Sequence, residues 1–448
     1  MESLPLQDSF EKLAKSLISA LKDQEQLSLA FDAEDSFYLR LNQSKVRHAF
    51  TVEQGNLTLQ FIKNQRRVTH VIPFKNDHEH NYSQALSELE KCRSLAEGLP
   101  IDPYCPVLEK STNGFSHEIH KANLLSSNEW FDQVLPLFKG NLTDCAGLLT
   151  AGKVIRGVYD SVGQHHWFCR DNFNLDISFY TPAQKAVKLL YSHHKWLKAE
   201  VEDKLSQVQQ QLQLLDQTIH VLKPGKYRTY FAPQAVAEFI HMFSWHGLSA
   251  SSFHKGESAF KLLADNHNLS AKVTLSEDFS IGLSPRFNSL GEVAPVCLEL
   301  IKAGRLENWL TSTRTAKEYH MTSGQAEEHE GLRSANLSPG CLPTKDVLKI
   351  LDTGLYISNL HYLNWSDLNN GRMTGMTRYA CFWVENGQIK APIQDLRFDE
   401  TLYHFLGDGL VDLTDTAEII PDTSTYDQRS VGGIKVPGLV VNEFNYTL

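Results

Sequence analysis

At 448 residues, 42% of them hydrophobic, the chain exceeds the usual size of one compact core, so two domains with separate cores are expected. Its 53 acidic against 43 basic residues give a formal charge of −10 with no Lys/Arg block, which argues against direct nucleic-acid binding. Residues 1–24 lack the basic-then-apolar form of a leader and no uncharged apolar run reaches ~18 residues, so a soluble cytoplasmic protein without membrane contact is expected.

The opening residues 8–22 place Phe10, Leu13, Leu17, Ile18 and Leu21 at helical spacing. Alternation then takes over at Phe37 to Leu41, Leu57 to Phe61 and Val68 to Phe74, with breaks at Glu53-Gln54-Gly55-Asn56 and Lys63-Asn64-Gln65-Arg66. This predicts an antiparallel meander with one apolar face, covered by a helix over Tyr82 to Leu99. Strand patterning returns from Ala146 to Tyr180, turning at Asp160 to Gly163. His165 and His166 lie in it, and adjacent strand residues point to opposite faces, so the pair does not read as a metal site. Seven cysteines, odd in number and without a CxxC pair, read as reduced, mostly buried thiols.

Pro182 is expected to open a long helix that contains His193-His194 and ends at Pro224-Gly225. Within it Val201, Leu205, Val208, Leu212, Leu215, Ile219 and Leu222 form a heptad seam, which serves either intramolecular packing or a dimer contact. The domain boundary is placed near Lys223 to Lys226. That gives an N-terminal α+β domain of residues 1–224 and a β-rich C-terminal domain of residues 225–448, with antiparallel and mixed sheets.

Strands are expected at Tyr227 to Phe231 and Ala271 to Glu277, and a helix opens at Pro233. At about 100° per residue, Ala235, Val236, Phe239, Ile240 and Phe243 share one stripe, while Glu238, His241 and Trp245 lie opposite. His246 stands about 140° from His241. The two could share a metal only if the chain leaves regular helix near Trp245, which Gly247 permits. Thr311 to Gly340, with few apolar anchors, reads as a long mobile loop. Asn386-Gly387 predicts a tight hairpin turn between Tyr379–Val384 and Gln388–Ile393. A short helix over Thr401 to Leu410 and a strand over Gly438 to Leu448 close the chain.

The blocks Gly354-Leu355-Tyr356-Ile357, Asn370-Gly371-Arg372-Met373-Thr374-Gly375, Trp383-Val384-Glu385-Asn386-Gly387 and Pro392-Ile393 resemble the C-terminal signature of the TldD/PmbA (TldE) family. Members were once called modulators of DNA gyrase. The order of elements agrees, through Pro233, His246-Gly247 and Gly256-Glu257-Ser258. The resemblance implies a cytoplasmic two-subunit metalloprotease. In it a TldD-type chain holds zinc through an HExxxH segment and a C-terminal Cys, a TldE-type chain completes a closed chamber, and unfolded peptide lies there as an added strand. His241, His246 and Gly247 match the family's histidines and glycine. Met242 stands where the Glu belongs, and Pro421-Asp422-Thr423-Ser424-Thr425-Tyr426 carries no Cys, with Ser424 its nearest substitute.

A thioether cannot take a proton from water, and a neutral hydroxyl is a poor zinc ligand. The leading expectation is therefore a non-catalytic TldE-like subunit, without a cofactor or catalytic residues of its own, paired with a zinc-bearing chain or with itself. The second is an autonomous metallopeptidase with zinc on His241, His246 and Glu238 or a C-terminal hydroxyl. The third is a non-proteolytic homodimeric scaffold built on the heptad seam. No Gly-x-Ser-x-Gly elbow supports a serine nucleophile, and Gly432-Gly433 makes no phosphate loop.

Overall fold

A computed structural model describes residues 3–75, 77–110, 112–138 and 144–447. The chain is α+β, with a sheet that is antiparallel but for one parallel strand pair and its helices first, and a larger, β-rich mixed sheet after. The first half runs α1 (Ser3–Ser19), β1 (Glu25–Asn42), β2 (Lys45–Lys63), β3 (Arg66–Pro73), α2 (His78–Gly98), β4 (Phe115–His120), α3 (Ser127–Val134), β5 (Asp144–Asp160), β6 (His165–Tyr180), β7 (Ala186–His193) and α4 (Lys198–Leu215). Among the described residues its strands form one seven-stranded sheet, ordered β3-β2-β1-β5-β6-β4 with β7 also on β6.

The expected break at Lys63 to Arg66 is a turn, and a second lies at Gln43-Ser44. In both, the two central residues are left-handed, with φ of 52° and 51° at Gln43 and Ser44 and 50° and 55° at Asn64 and Gln65. That conformation matches the twist of tight hairpins. The break expected at Glu53 to Asn56 is absent. These residues continue β2, paired to Asp32–Asp35. Gly55 is there for space, since a Cβ on it would stand 3.3 Å from the Phe31 ring and the Ala33 Cβ.

Alternation puts Leu27, Leu29 and Phe31 of β1 with Leu57, Leu59 and Phe61 of β2 on one face. Phe10, Leu13 and Leu17 of α1 and Ala85 and Leu89 of α2 cover that face. Phe31 stacks between Phe10 (5.1 Å) and Trp167 (6.0 Å). At the far end of the same face, α3 and α4 cover Phe173, Leu175 and Ile177. The helix expected from Pro182 is instead β7 followed by α4, because Ala186–His193 pair along Phe173–Tyr180 of β6. His193 therefore ends a strand, with its ring against His194 at 4.2 Å.

The heptad seam is an internal one. Val201, Leu205, Val208, Leu212 and Leu215 are buried on the sheet, and the helix ends before Ile219, which is exposed. The homodimeric scaffold thereby loses the surface that suggested it.

The second half opens with β8 (Gly225–Phe231) and α5 (Pro233–Met242). Its strands join one thirteen-stranded sheet among the described residues, in which the closing strand Gly433–Tyr446 pairs with β8, with Leu410–Pro421 and, in parallel, with Ser334–Leu337. Leu448, expected in that strand, lies outside the described residues. The Asn386-Gly387 turn is present, with φ of 53° and 71°. The strand expected over Ala271–Glu277 is shorter, Leu275–Asp278, and the helix expected over Thr401–Leu410 is one π-turn at His404–Asp408.

Thr311–Gly340 is no free loop. It contains a helix, Thr313–Tyr319, and a strand, Ser334–Leu337, and polar groups anchor it. Buried Glu330 accepts from the Ser249 hydroxyl (2.6 Å) and from the N–H groups of Ser251 and Ser312 (both 2.8 Å). No helix among the described residues is long and apolar enough to cross a membrane.

The N-terminal layers are tied by a buried ion pair between α2 and β1, Arg93 to Glu25, at 2.7 Å. Burial raises the Glu25 carboxyl, but Arg93, the Lys22 N–H (2.8 Å) and Lys63 (3.3 Å) together outweigh it and hold the group down at about 2. Removing one partner of such a pair leaves a buried charge unmatched. Arg93→Ala should cost about 3 kcal/mol, read as a lowered urea midpoint. Because the folded carboxyl is held below its ordinary 4.5, its contribution is complete above that value and is lost as pH falls toward about 2. That part of the acid profile should shrink in the variant, where only the Lys22 N–H and Lys63 still favour the charged carboxyl.

Candidate functional site

The even-numbered residues of β1, among them Asp32, Glu34, Ser36 and Tyr38, form the other face of the first sheet, which is polar and turned toward the second half. Between them lies a cavity of about 570 Å³, walled by Asp32 and Arg156 of the sheet, Glu238 and His241 of α5, segment 327–333 and strand ends at 420–423 and 431–434. Asp32 and Arg156 face each other across β1 and β5 in register and pair at 2.8 Å. Burial raises the Asp32 carboxyl and lowers the Arg156 guanidinium, each opposed by its partner.

Helix α5 serves both sides because its pattern is amphipathic. Ala235, Val236, Phe239, Ile240 and Met242 enter the second core, where Phe239 meets Phe405 at 4.6 Å. Glu238 and His241, three residues apart, share the opposite face and look into the cavity. Glu238 is open to the cavity yet flanked by protein, and this desolvation raises its carboxyl, with His241, Lys188 and Arg378 acting the other way.

His246 is placed differently. The helix ends at Met242, and the chain turns through 243–248 with His246 left-handed at φ 53°. Gly247 presses so closely on the Phe243 carbonyl that a Cβ would stand 2.3 Å from it. The turn sends the His246 imidazole toward the Ser252 hydroxyl (3.5 Å) and Glu257 (4.0 Å), and it does not line the cavity. Glu238 and His241 are thus brought together and His246 is not brought to them.

The segment Pro421 to Tyr426 does return to this place. Pro421, Asp422 and Thr423 line the cavity, and the Thr423 hydroxyl donates to Asp176 of β6 at 3.1 Å. Ser424 is exposed, and its N–H closes a turn on Asp422 at 2.8 Å. Zinc takes four donors from thiolate, imidazole and carboxylate. Among the described residues no three His, Cys, Asp or Glu side chains are grouped to hold an ion. Met242 is a thioether packed in the core, and Pro421 to Tyr426 carries hydroxyls and Asp422 but no thiol. This donor set does not fit zinc, and no chemical step is drawn through one.

Sequence reading missed what holds the cavity shut on one side. Arg429, 2% exposed, reaches from loop 422–431 into the sheet, where it donates to Asn172 Oδ1 (2.7 Å) and Ser36 Oγ (3.2 Å). Gln54 bridges Glu34 (2.6 Å) and the Asp427 carbonyl (2.8 Å) beside it. Burial lowers Arg429 to about 10, against the pull of Tyr38 and Glu34. The alternating polar residues of β1 were the only available signal, and nothing in 422–431 announced a partner for them. Arg429→Ala should release the loop by about 2 kcal/mol, the scale of a charged hydrogen bond. Amide exchange over 422–431 should then quicken roughly 30-fold with the strands beneath unchanged.

Comparisons with known proteins agree with this architecture. A family model described as the PmbA/TldA metallopeptidase C-terminal domain matches residues 224–447, half of the chain. No curated protein sequence matches. TldE from Thermococcus kodakarensis has a similar structure, with TM-score 0.78 and 16% identity over 98% of this chain and 100% of that one. A proposed modulator of a DNA gyrase from Thermotoga maritima gives 0.77 and 16% over the same shares. A proposed modulator of DNA gyrase from Bacteroides thetaiotaomicron gives 0.76 and 15% over 98% of each chain. At these identities the likeness is one of fold.

Proposed function

The chain belongs to the TldD/PmbA (TldE) metallopeptidase family, and from that premise we propose that it is a non-catalytic, TldE-like subunit. It builds, with a zinc-bearing TldD-type chain, a chamber that holds unfolded peptide as an added strand. The observation that carries this reading is the donor set around His241. The residue after it, Met242, is buried in the core, and the segment that reaches the cavity from the C-terminal side, Pro421 to Tyr426, offers hydroxyls and Asp422 but no thiol. General base and thiolate are both wanting, so hydrolysis falls to the partner.

The chamber itself is well provided. Ala417–Pro421 pair with Gly433–Pro437 on one side, and no other described strand pairs with them on the other. Ile420 and Pro421, at the end of this free edge, line the cavity. A peptide laid along the edge gains backbone hydrogen bonds whatever its sequence and is led toward Glu238 and His241, which suits an unfolded substrate.

Co-expression with a zinc-bearing TldD-type chain tests the proposal. The two are expected to stay together through affinity and size-exclusion steps, and the pair to cleave an unfolded peptide that this chain alone leaves intact. Failure to associate, or zinc-dependent cleavage by this chain alone, would overturn it.

A further inference from the structure

The walls of the junction cavity carry charges of both signs, and nearly all are spent within the protein. Arg156 is committed to Asp32 and to the carbonyls of Ile155 (2.8 Å) and Arg429 (3.4 Å). Arg333 gives its guanidinium N–H groups to the carbonyls of Phe287, Arg286 and Gln325 and lies over the Phe279 ring. On the acidic side, Glu327 accepts from the Ser289 hydroxyl (3.1 Å) and Asp422 from the Ser424 N–H.

Glu238 is the exception, with neither a hydrogen bond nor an ion pair within 4 Å among the described residues. Two cations act on it from outside the cavity lining. Lys188 is paired with Asp176, and Arg378 donates to His361 (3.0 Å) and covers the Tyr379 ring. One carboxylate therefore faces the cavity unmatched, with the His241 imidazole beside it. A partly desolvated charge of this kind is stabilised by an opposite charge that a ligand brings.

We infer that the junction cavity receives a positively charged side chain of the bound peptide, a lysine or arginine, with Glu238 as its specificity-determining partner. The inference rests on the peptide-binding reading of the chamber. An ammonium or guanidinium supplies both the charge and the donors that Glu238 lacks, while the cavity's own guanidinium groups are already held by carbonyls and Asp32. A carboxylate side chain entering the same space meets Glu238, Glu327 and Asp422 and finds no free Lys or Arg among the described lining residues. Main-chain pairing along Ala417–Pro421 would thus accept any sequence, and the cavity would set its register by charge.

The test uses the full chain, with a chelator present so that no divalent ion bridges peptide and protein. Binding is measured by fluorescence anisotropy for an unfolded peptide, blocked at both ends and bearing one lysine, and for the same peptide with that lysine acetylated. Wild-type protein should prefer the lysine form about tenfold, some 1.4 kcal/mol. In Glu238→Gln, which keeps the shape of the side chain, the lysine form should weaken to match the acetylated one, whose affinity stays as in wild type. Equal affinities in wild type, or a preference that survives in Glu238→Gln, would overturn the inference and leave the peptide-binding reading standing. If neither peptide binds, the peptide-binding reading falls and the inference with it.

Discussion

The buried guanidinium of Arg429 is the constraint on which the site depends. Without it, the polar contacts holding loop 422–431 to the sheet face would be only those of Gln54, of Thr423 with Asp176 and of Arg156 with the Arg429 carbonyl. The sheet supplies what a buried guanidinium needs, a carbonyl-type acceptor at Asn172 and a hydroxyl at Ser36, with Glu34 and Tyr38 near enough to favour the charge. Burying such a charge is costly unless donors and acceptors meet closely. The outlay is justified by position more than by stability, since it fixes Thr423 over Asp176 and holds the strand end at 420–423 beside α5.

Helix α5 gains its meaning from the same closure. Its apolar stripe is ordinary core packing, and its polar face would be plain solvent surface in an isolated domain. Opposed by the first sheet, that face becomes a cavity wall. His241 is presented while Met242 is withdrawn into the core, and the turn at His246-Gly247 carries the second histidine toward Ser252 and Glu257. The wall thus presents a carboxylate and one imidazole to the cavity, with the thioether of Met242 turned away from it.

Much of this was legible in the chain. The alternation in β1 to β3 predicted a meander with one apolar face, Asn386-Gly387 predicted its hairpin, and the spacing in Pro233–Phe243 set His241 outside the core. What failed did so for tertiary reasons. Ala186–His193 has good helix formers, yet pairing with β6 overrode local propensity. Gly55 looked like a turn because its real task, clearing the Phe31 ring, is a contact between strands. Thr311–Gly340 looked like a loop because its anchors are buried polar groups, Glu330 foremost, which leave no hydrophobic pattern. Arg429 was invisible for the same reason, since its partners lie some 250 residues or more away in sequence.

The central claim is that this chain shapes a chamber while the metal belongs to its partner. Zinc content of the purified two-chain complex tests it most directly, compared between wild type and a form in which His241 and His246 of this chain are both alanine. The account predicts one zinc per pair in both. Loss of the metal from the double variant would place the zinc on this chain and contradict it.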